Sequence, residues 1–166
     1  MKKHHILLTT LLIGLISTLL VACSTSKSKS VYFQSKTDGV DIRITYYVGS
    51  DGSKIVKQKT ESIINYKSLN AENKQDAEDK VGYSYKMQKE HENSFKGVKS
   101  TLSFKKSYFV KTLTIDYSKA NAKQLAQSNI IHKEIYSSKK KEVTLEKVKT
   151  YLNSKGFTVI KNGKFK

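Results

Sequence analysis

Val40-Asp41-Ile42-Arg43-Ile44-Thr45-Tyr46-Tyr47-Val48 alternates apolar and polar side chains along its whole length. A period of two is the signature of a half-buried β-strand, with Val40, Ile42, Ile44, Tyr46 and Val48 on the core face. Gly49-Ser50-Asp51-Gly52 follows as a turn and leads into a second β-prone run, Lys54 to Tyr66, so the two form an antiparallel hairpin. On the other side, a short strand from Val31 to Lys36 reaches the Asp38-Gly39 turn. The sheet therefore opens as a meander.

Downstream the pattern changes. From Asn70 to about Glu92, Ala77, Val81 and Tyr85 recur every four residues among Lys, Glu, Asp and Gln, which marks an amphipathic helix. Gly82 inside it costs about 1 kcal/mol relative to alanine and suggests a kink or a close approach. Phe95 to Val98 reads as a loop, followed by strands over Val98–Phe104 and Tyr108–Tyr117. Lys111 interrupts the apolar face of the latter, which places it at a sheet edge or makes it snorkel. A short helix is expected over Ala120–Gln127, and Asn129–Lys141 carries no clear pattern. The last helix has Thr144 as N-cap, Leu145, Val148 and Leu152 on one face and Gly156 as terminator, before a strand at Phe157–Ile160. Strands in runs and then helices give an α+β domain: a mainly antiparallel sheet of about five or six strands with two or three helices packed on one face.

The N-terminus is of a different kind. Met1 to His5 is short and basic, and Ile6 to Leu20 is apolar, the organisation of an export signal. As a permanent span the stretch is marginal: the roughly 17 residues from Ile6 to Ala22 rise only ~25 Å against a ~30 Å hydrocarbon core. The junction Leu20-Val21-Ala22-Cys23 resembles the lipobox of bacterial lipoproteins. Such a motif implies peptidase cleavage between Ala22 and Cys23, a diacylglyceryl thioether on the Cys23 thiol and acylation of its freed amine. More than one chain is what stable anchoring requires. The expected organisation is a signal peptide over 1–22, lipidated Cys23 with a flexible tether over 23–30, and one domain over 31–166. The localisation that follows is the cell membrane, lipid-anchored, on its extracytoplasmic face.

Removal of 22 residues from 166 leaves 144, a single-domain length. Cys23 is the only cysteine, which excludes an internal disulfide and a CxxC metal or redox site. The 31 Lys and Arg fall to 29 when Lys2 and Lys3 leave, against an unchanged 14 Asp and Glu, so the mature charge is +15. This supports attraction to anionic surfaces. Arg43 is the single arginine, and lysine lacks the guanidinium fork that reads bases and clamps phosphates; nucleic acid is not an expected partner. Lys27 and Lys29 in the tether and the run Lys139-Lys140-Lys141 are the candidate contacts to an anionic surface, with solvated linker and loop as their plainer roles.

The Tyr-rich hairpin ending in Ile63-Ile64-Asn65-Tyr66, the segment Ile115-Asp116-Tyr117-Ser118-Lys119-Ala120 and the closing Leu152-Asn153-Ser154-Lys155-Gly156-Phe157, behind a lipobox, together resemble the YehR-like bacterial lipoproteins. The resemblance covers nearly all of the mature chain. It implies a small α+β lipoprotein domain of unassigned biochemical role and supplies no catalytic residues.

The residues themselves point away from catalysis. His91 and His132 are the histidines left after export, far apart and without carboxylates at metal-ligand spacing. Glu72, Asp76, Glu78 and Asp79 do not fit a calcium loop and suit the start of a helix. No Gly-rich phosphate loop, no G-x-S-x-G elbow and no S-x-x-K penicillin-binding signature with its companion motifs stands out in the sequence. Tyr83, Tyr85, Lys86, Lys89, Phe95, Lys96 and Lys99 interleave aromatics with charge as a polymer-binding surface does, although core packing explains most such aromatics. No cofactor and no metal is expected. Three functions compete: a non-enzymatic binding or envelope module contacting anionic envelope polymers or lipid, a small-ligand carrier with a pocket between sheet and helices, and, third, an envelope hydrolase.

Overall fold

A computed structural model describes residues 29–166. The proposed signal peptide, Ala22, Cys23 and Lys27 lie outside the described residues. Six strands form one antiparallel sheet: β1 (Lys29–Thr37), β2 (Val40–Val48), β3 (Ile55–Asn65), β4 (Val98–Phe104), β5 (Tyr108–Asp116) and β8 (Thr158–Ile160), in the order β4-β5-β3-β2-β1-β8. A small separate ribbon pairs β6 (Tyr136–Ser137) with β7 (Glu142–Val143). The strand expected from Val31 begins two residues earlier, because Lys29 and Ser30 pair with Val48 and Tyr47.

The helices are α1 (Lys74–Ala77), α2 (Tyr83–Asn93), α3 (Ala122–Gln127) and α4 (Leu145–Ser154). Asn73, Asn121 and Thr144 each accept a hydrogen bond from the backbone N–H three residues on, filling an orphan donor of the first turn. Between α1 and α2 the chain continues as a π-helical turn, Glu78–Gly82. The irregularity expected at Gly82 is therefore a widened turn within one continuous helical run.

Register sorts the strands into two faces. Phe33, Ile44, Tyr46, Val48 and Ile115 form the core with Leu125 and Ala126 of α3 and Val148 and Leu152 of α4. Ile64 and Phe109, on the same face, pack against Ala77 and Tyr85 of the α1–α2 run. The helices thus cap one face, as the pattern predicts, at two separate places.

On the opposite face the C-terminal segment turns back over β1 and β2. Gln34 donates through Nε2 to the Lys166 carbonyl at 2.8 Å and accepts from the Lys166 N–H at 3.1 Å. The Phe165 ring stands edge-on to Tyr32, 6.0 Å between centroids, with the Arg43 guanidinium 5.6 Å from its own centroid. Beneath, Asp41 accepts from Arg43 at 2.7 and 2.9 Å and from Gln34 at 2.8 Å.

Lys111 corrects the expectation of an edge or snorkelling residue. Strand β5 lies between β4 and β3, and Lys111 Nζ is 2.6 Å from Glu92 Oε1 in a nearly buried ion pair. The Asn129–Lys141 stretch is organised by tertiary contact. Ile131 and Ile135 are buried, the latter in a 3-10 turn at Lys133–Ile135.

Candidate functional site

Two concavities meet at Lys155. The first is a groove of about 900 Å³ at the β1–β8 edge. Strand β8 pairs only with Tyr32, Phe33 and Gln34, so β1 runs past it from Ser35 to Thr37 and leaves a step. Lys36, Lys155, Lys161, Lys164 and Lys166 surround that step, and no Asp or Glu is part of its lining. None of the five forms an ion pair among the described residues; Lys155 instead holds Nζ 5.6 Å from the centroid of the Tyr151 ring.

The second is a cavity of about 360 Å³ between the middle of the sheet and α4. Its floor is the inner face of β3, where Gln58, Thr60 and Ser62 lie between Tyr46, Ile44 and Ile42 of β2 and Ile115, Leu113 and Lys111 of β5. Gln58 is committed locally: Nε2 donates to Thr60 Oγ1 at 3.0 Å and Oε1 accepts from the Tyr117 hydroxyl at 2.8 Å. Ile131, Ile135, Leu152 and Phe157 form the roof. At the rim, His132 stacks on Tyr151 with 4.6 Å between ring centroids. Burial first, then the neighbouring Tyr151, push the Tyr46 hydroxyl far above the ordinary tyrosine range, and burial does the same at Tyr117. Both stay neutral donors at physiological pH.

The sequence-named residues fall elsewhere. Lys29 is exposed at the start of β1. Lys139, Lys140 and Lys141 are exposed in the turn between β6 and β7, at the opposite end of α4 from Lys155. That separation is about 15 Å for a ten-residue helix. His91 is exposed and edge-on to Phe95, whereas His132 reaches the cavity rim. Tyr83 is 77% exposed while Tyr85 packs on Phe109, so the aromatic and basic interleaving of that helix divides between solvent and core. Among the described residues no group of three or more His, Cys, Asp or Glu is gathered to hold a metal. Sequence reading missed the lysine groove because its members come from three separate segments. The one available signal was the lysine density after Ser154.

An antiparallel sheet capped on one face by helices defines a small α+β fold. Residues 29–158 match the family described as a protein of unknown function, DUF1307, and the chain belongs to that family. It is 32% identical over 120 residues to an uncharacterized lipoprotein of Listeria innocua, covering 70% of this chain and 72% of the relative. It is 26% identical over 164 residues to the uncharacterized lipoprotein YehR of Escherichia coli, covering 97% and 100%. The NMR structure of E. coli YehR superposes with a TM-score of 0.61 at 27% identity, over 82% of this chain and 93% of that one. The resemblance to YehR-like lipoproteins is thus borne out in family and fold. Among the described residues no helix is long and apolar enough to cross a membrane, and the relatives' common description as lipoproteins agrees with anchoring through lipid.

Proposed function

We propose that the protein is a non-enzymatic binding module, held by acyl chains on Cys23 at the extracytoplasmic face of the cell membrane, that contacts an anionic polymer of the envelope. The observation carrying this reading is the groove of Lys36, Lys155, Lys161, Lys164 and Lys166, five basic side chains on one concave edge with no Asp or Glu in its lining. A concave surface of one sign focuses field and concentrates counter-charged ligands. Lysines bind as adaptable point charges, which suits a flexible polyanion better than one rigid group. Anchoring keeps the domain within reach of its polymer, and the +15 mature charge adds long-range attraction.

The test is co-sedimentation of residues 24–166 with isolated cell wall, over a range of salt. Binding falls steeply with added salt, since exposed charges are screened over about 8 Å at physiological ionic strength. Lys161→Gln, Lys164→Gln and Lys166→Gln combined weaken it at least about tenfold, as loss of several surface charges should. Replacing Lys139, Lys140 and Lys141 with Gln serves as the control and weakens it less. Salt-independent binding, or retention unaffected by the groove variant, overturns the reading. Mass analysis of the full chain from its host gives Cys23 as the first residue carrying acyl chains; an intact leader overturns the anchor.

A further inference from the structure

We infer that the cavity between β2, β3, β5 and α4 is a second site, adjoining the groove at Lys155, for a single-chain amphiphile with one negative charge and a hydrogen-bonding group at its far end. Three features support it.

The floor is polar where a core would be apolar. Strand β3 is third of six and its inner face is covered by other elements, a position normally filled by aliphatic side chains. Its neighbours supply Ile42, Ile44 and Leu113, yet β3 presents Thr60 and Ser62 between them. Tyr46, 2% exposed, adds a hydroxyl-bearing side chain to the same lining. Hydroxyls both donate and accept, so a ligand's polar end would find hydrogen-bonding partners on this floor.

The walls are apolar and the space is finite. Its volume of about 360 Å³ lies in the range of small-molecule sites and holds roughly a dozen heavy atoms at water-like packing. The mouth is basic. Lys155 and His132 are the exposed ionisable residues of the lining, and no carboxylate accompanies them. An anionic head at the rim would therefore meet Lys155 while its chain passes between Ile44 and Leu152 toward the floor.

Lys155 also borders the lysine groove, so the experiment separates the two sites. Residues 24–166 are titrated by calorimetry with three probes that differ in one feature each: ω-hydroxydecanoate, decanoate and ω-aminodecanol. The hydroxy acid saturates a single site, decanoate binds several-fold more weakly, and the amine fails to saturate. Lys155→Gln weakens the hydroxy acid about tenfold, the scale of one charged hydrogen bond. Ser62→Leu, filling the floor, abolishes binding, and Tyr46→Phe gives a several-fold loss should Ser62→Leu fail to fold. Lys161→Gln with Lys164→Gln leaves it within twofold, whatever happens to cell-wall retention. Failure of the hydroxy acid to saturate, equal binding of the amine, or insensitivity to both Lys155→Gln and Tyr46→Phe overturns the inference.

Discussion

Lys111 on β5 and Glu92 on α2 form an ion pair of 2.6 Å with side chains only 11% and 5% exposed. It ties the helix to the sheet beside the cavity, since Lys111 stands across from Ser62. Gln88 also donates to Glu92 Oε1, at 3.2 Å, while Glu92 Oε2 has no partner among the described residues. Removing one member strands a charge in a dry place; removing both need not. Lys111→Met and Glu92→Leu should each lower stability by about 3–5 kcal/mol in urea unfolding, and the double variant should recover most of it. Additive losses would show that the two charges are not coupled.

Two glycines should respond in opposite ways. Gly82 has ordinary helical angles and its nearest neighbour to an added Cβ is 3.9 Å away, so Gly82→Ala raises stability by up to about 1 kcal/mol. Gly97 sits at φ +78°, and a Cβ there would lie 2.7 Å from the Asp116 carbonyl oxygen. Gly97→Ala should cost about 1–3 kcal/mol. Thermal melts of the pair distinguish the two signs.

Stability should fall in acid. Burial alone would raise the Asp41 carboxyl, but hydrogen bonds from Arg43 and Gln34 and the Arg43 charge outweigh it and hold the group below the usual carboxylate range. Asp51, Asp76 and Asp116 are also lowered, chiefly by hydrogen bonds from the Ser53 N–H, the Glu72 N–H and the Ser118 hydroxyl. Groups whose folded values are depressed stabilise the fold above their unfolded values and lose that contribution as pH drops through the folded ones. The melting temperature should therefore be flat above about pH 4 on their account and decline below it. Asp41→Asn should make that decline shallower.

The C-terminal strap should matter more than its length suggests. Arg43→Met removes both guanidinium hydrogen bonds to Asp41 Oδ2 and the cation over the Phe165 ring. A loss of about 1.5–3 kcal/mol is expected for hydrogen bonds to a charged group. Chemical denaturation of Arg43→Met beside a chain ending at Ile160 would show whether the strap acts through this cluster. Similar losses are expected for the two.

Much of the sheet was legible because strands such as β2 and β4 carry their own alternation. Val98–Phe104 and the core face of Val40–Val48 required no knowledge of neighbours. Thr144 was equally plain, because capping is decided within one turn of helix. Lys111 was noticed as an interruption, but its partner lies 19 residues away on a helix, and nothing local links them. The 129–141 segment resisted reading since its order rests on Ile131 and Ile135 entering a core built by other elements.

By itself, then, the sequence determined where the chain extends or coils, which faces are apolar, and that its start carries the pattern of a lipidated export signal. These follow from short-range sterics, side-chain period and local motif. Only the tertiary structure decided that polar β3 residues lie beneath an incomplete roof and that lysines from β1, the end of α4 and the C-terminus share one edge. Strand order and register are long-range choices, set by how separate apolar faces are buried together, and no single stretch of residues encodes them.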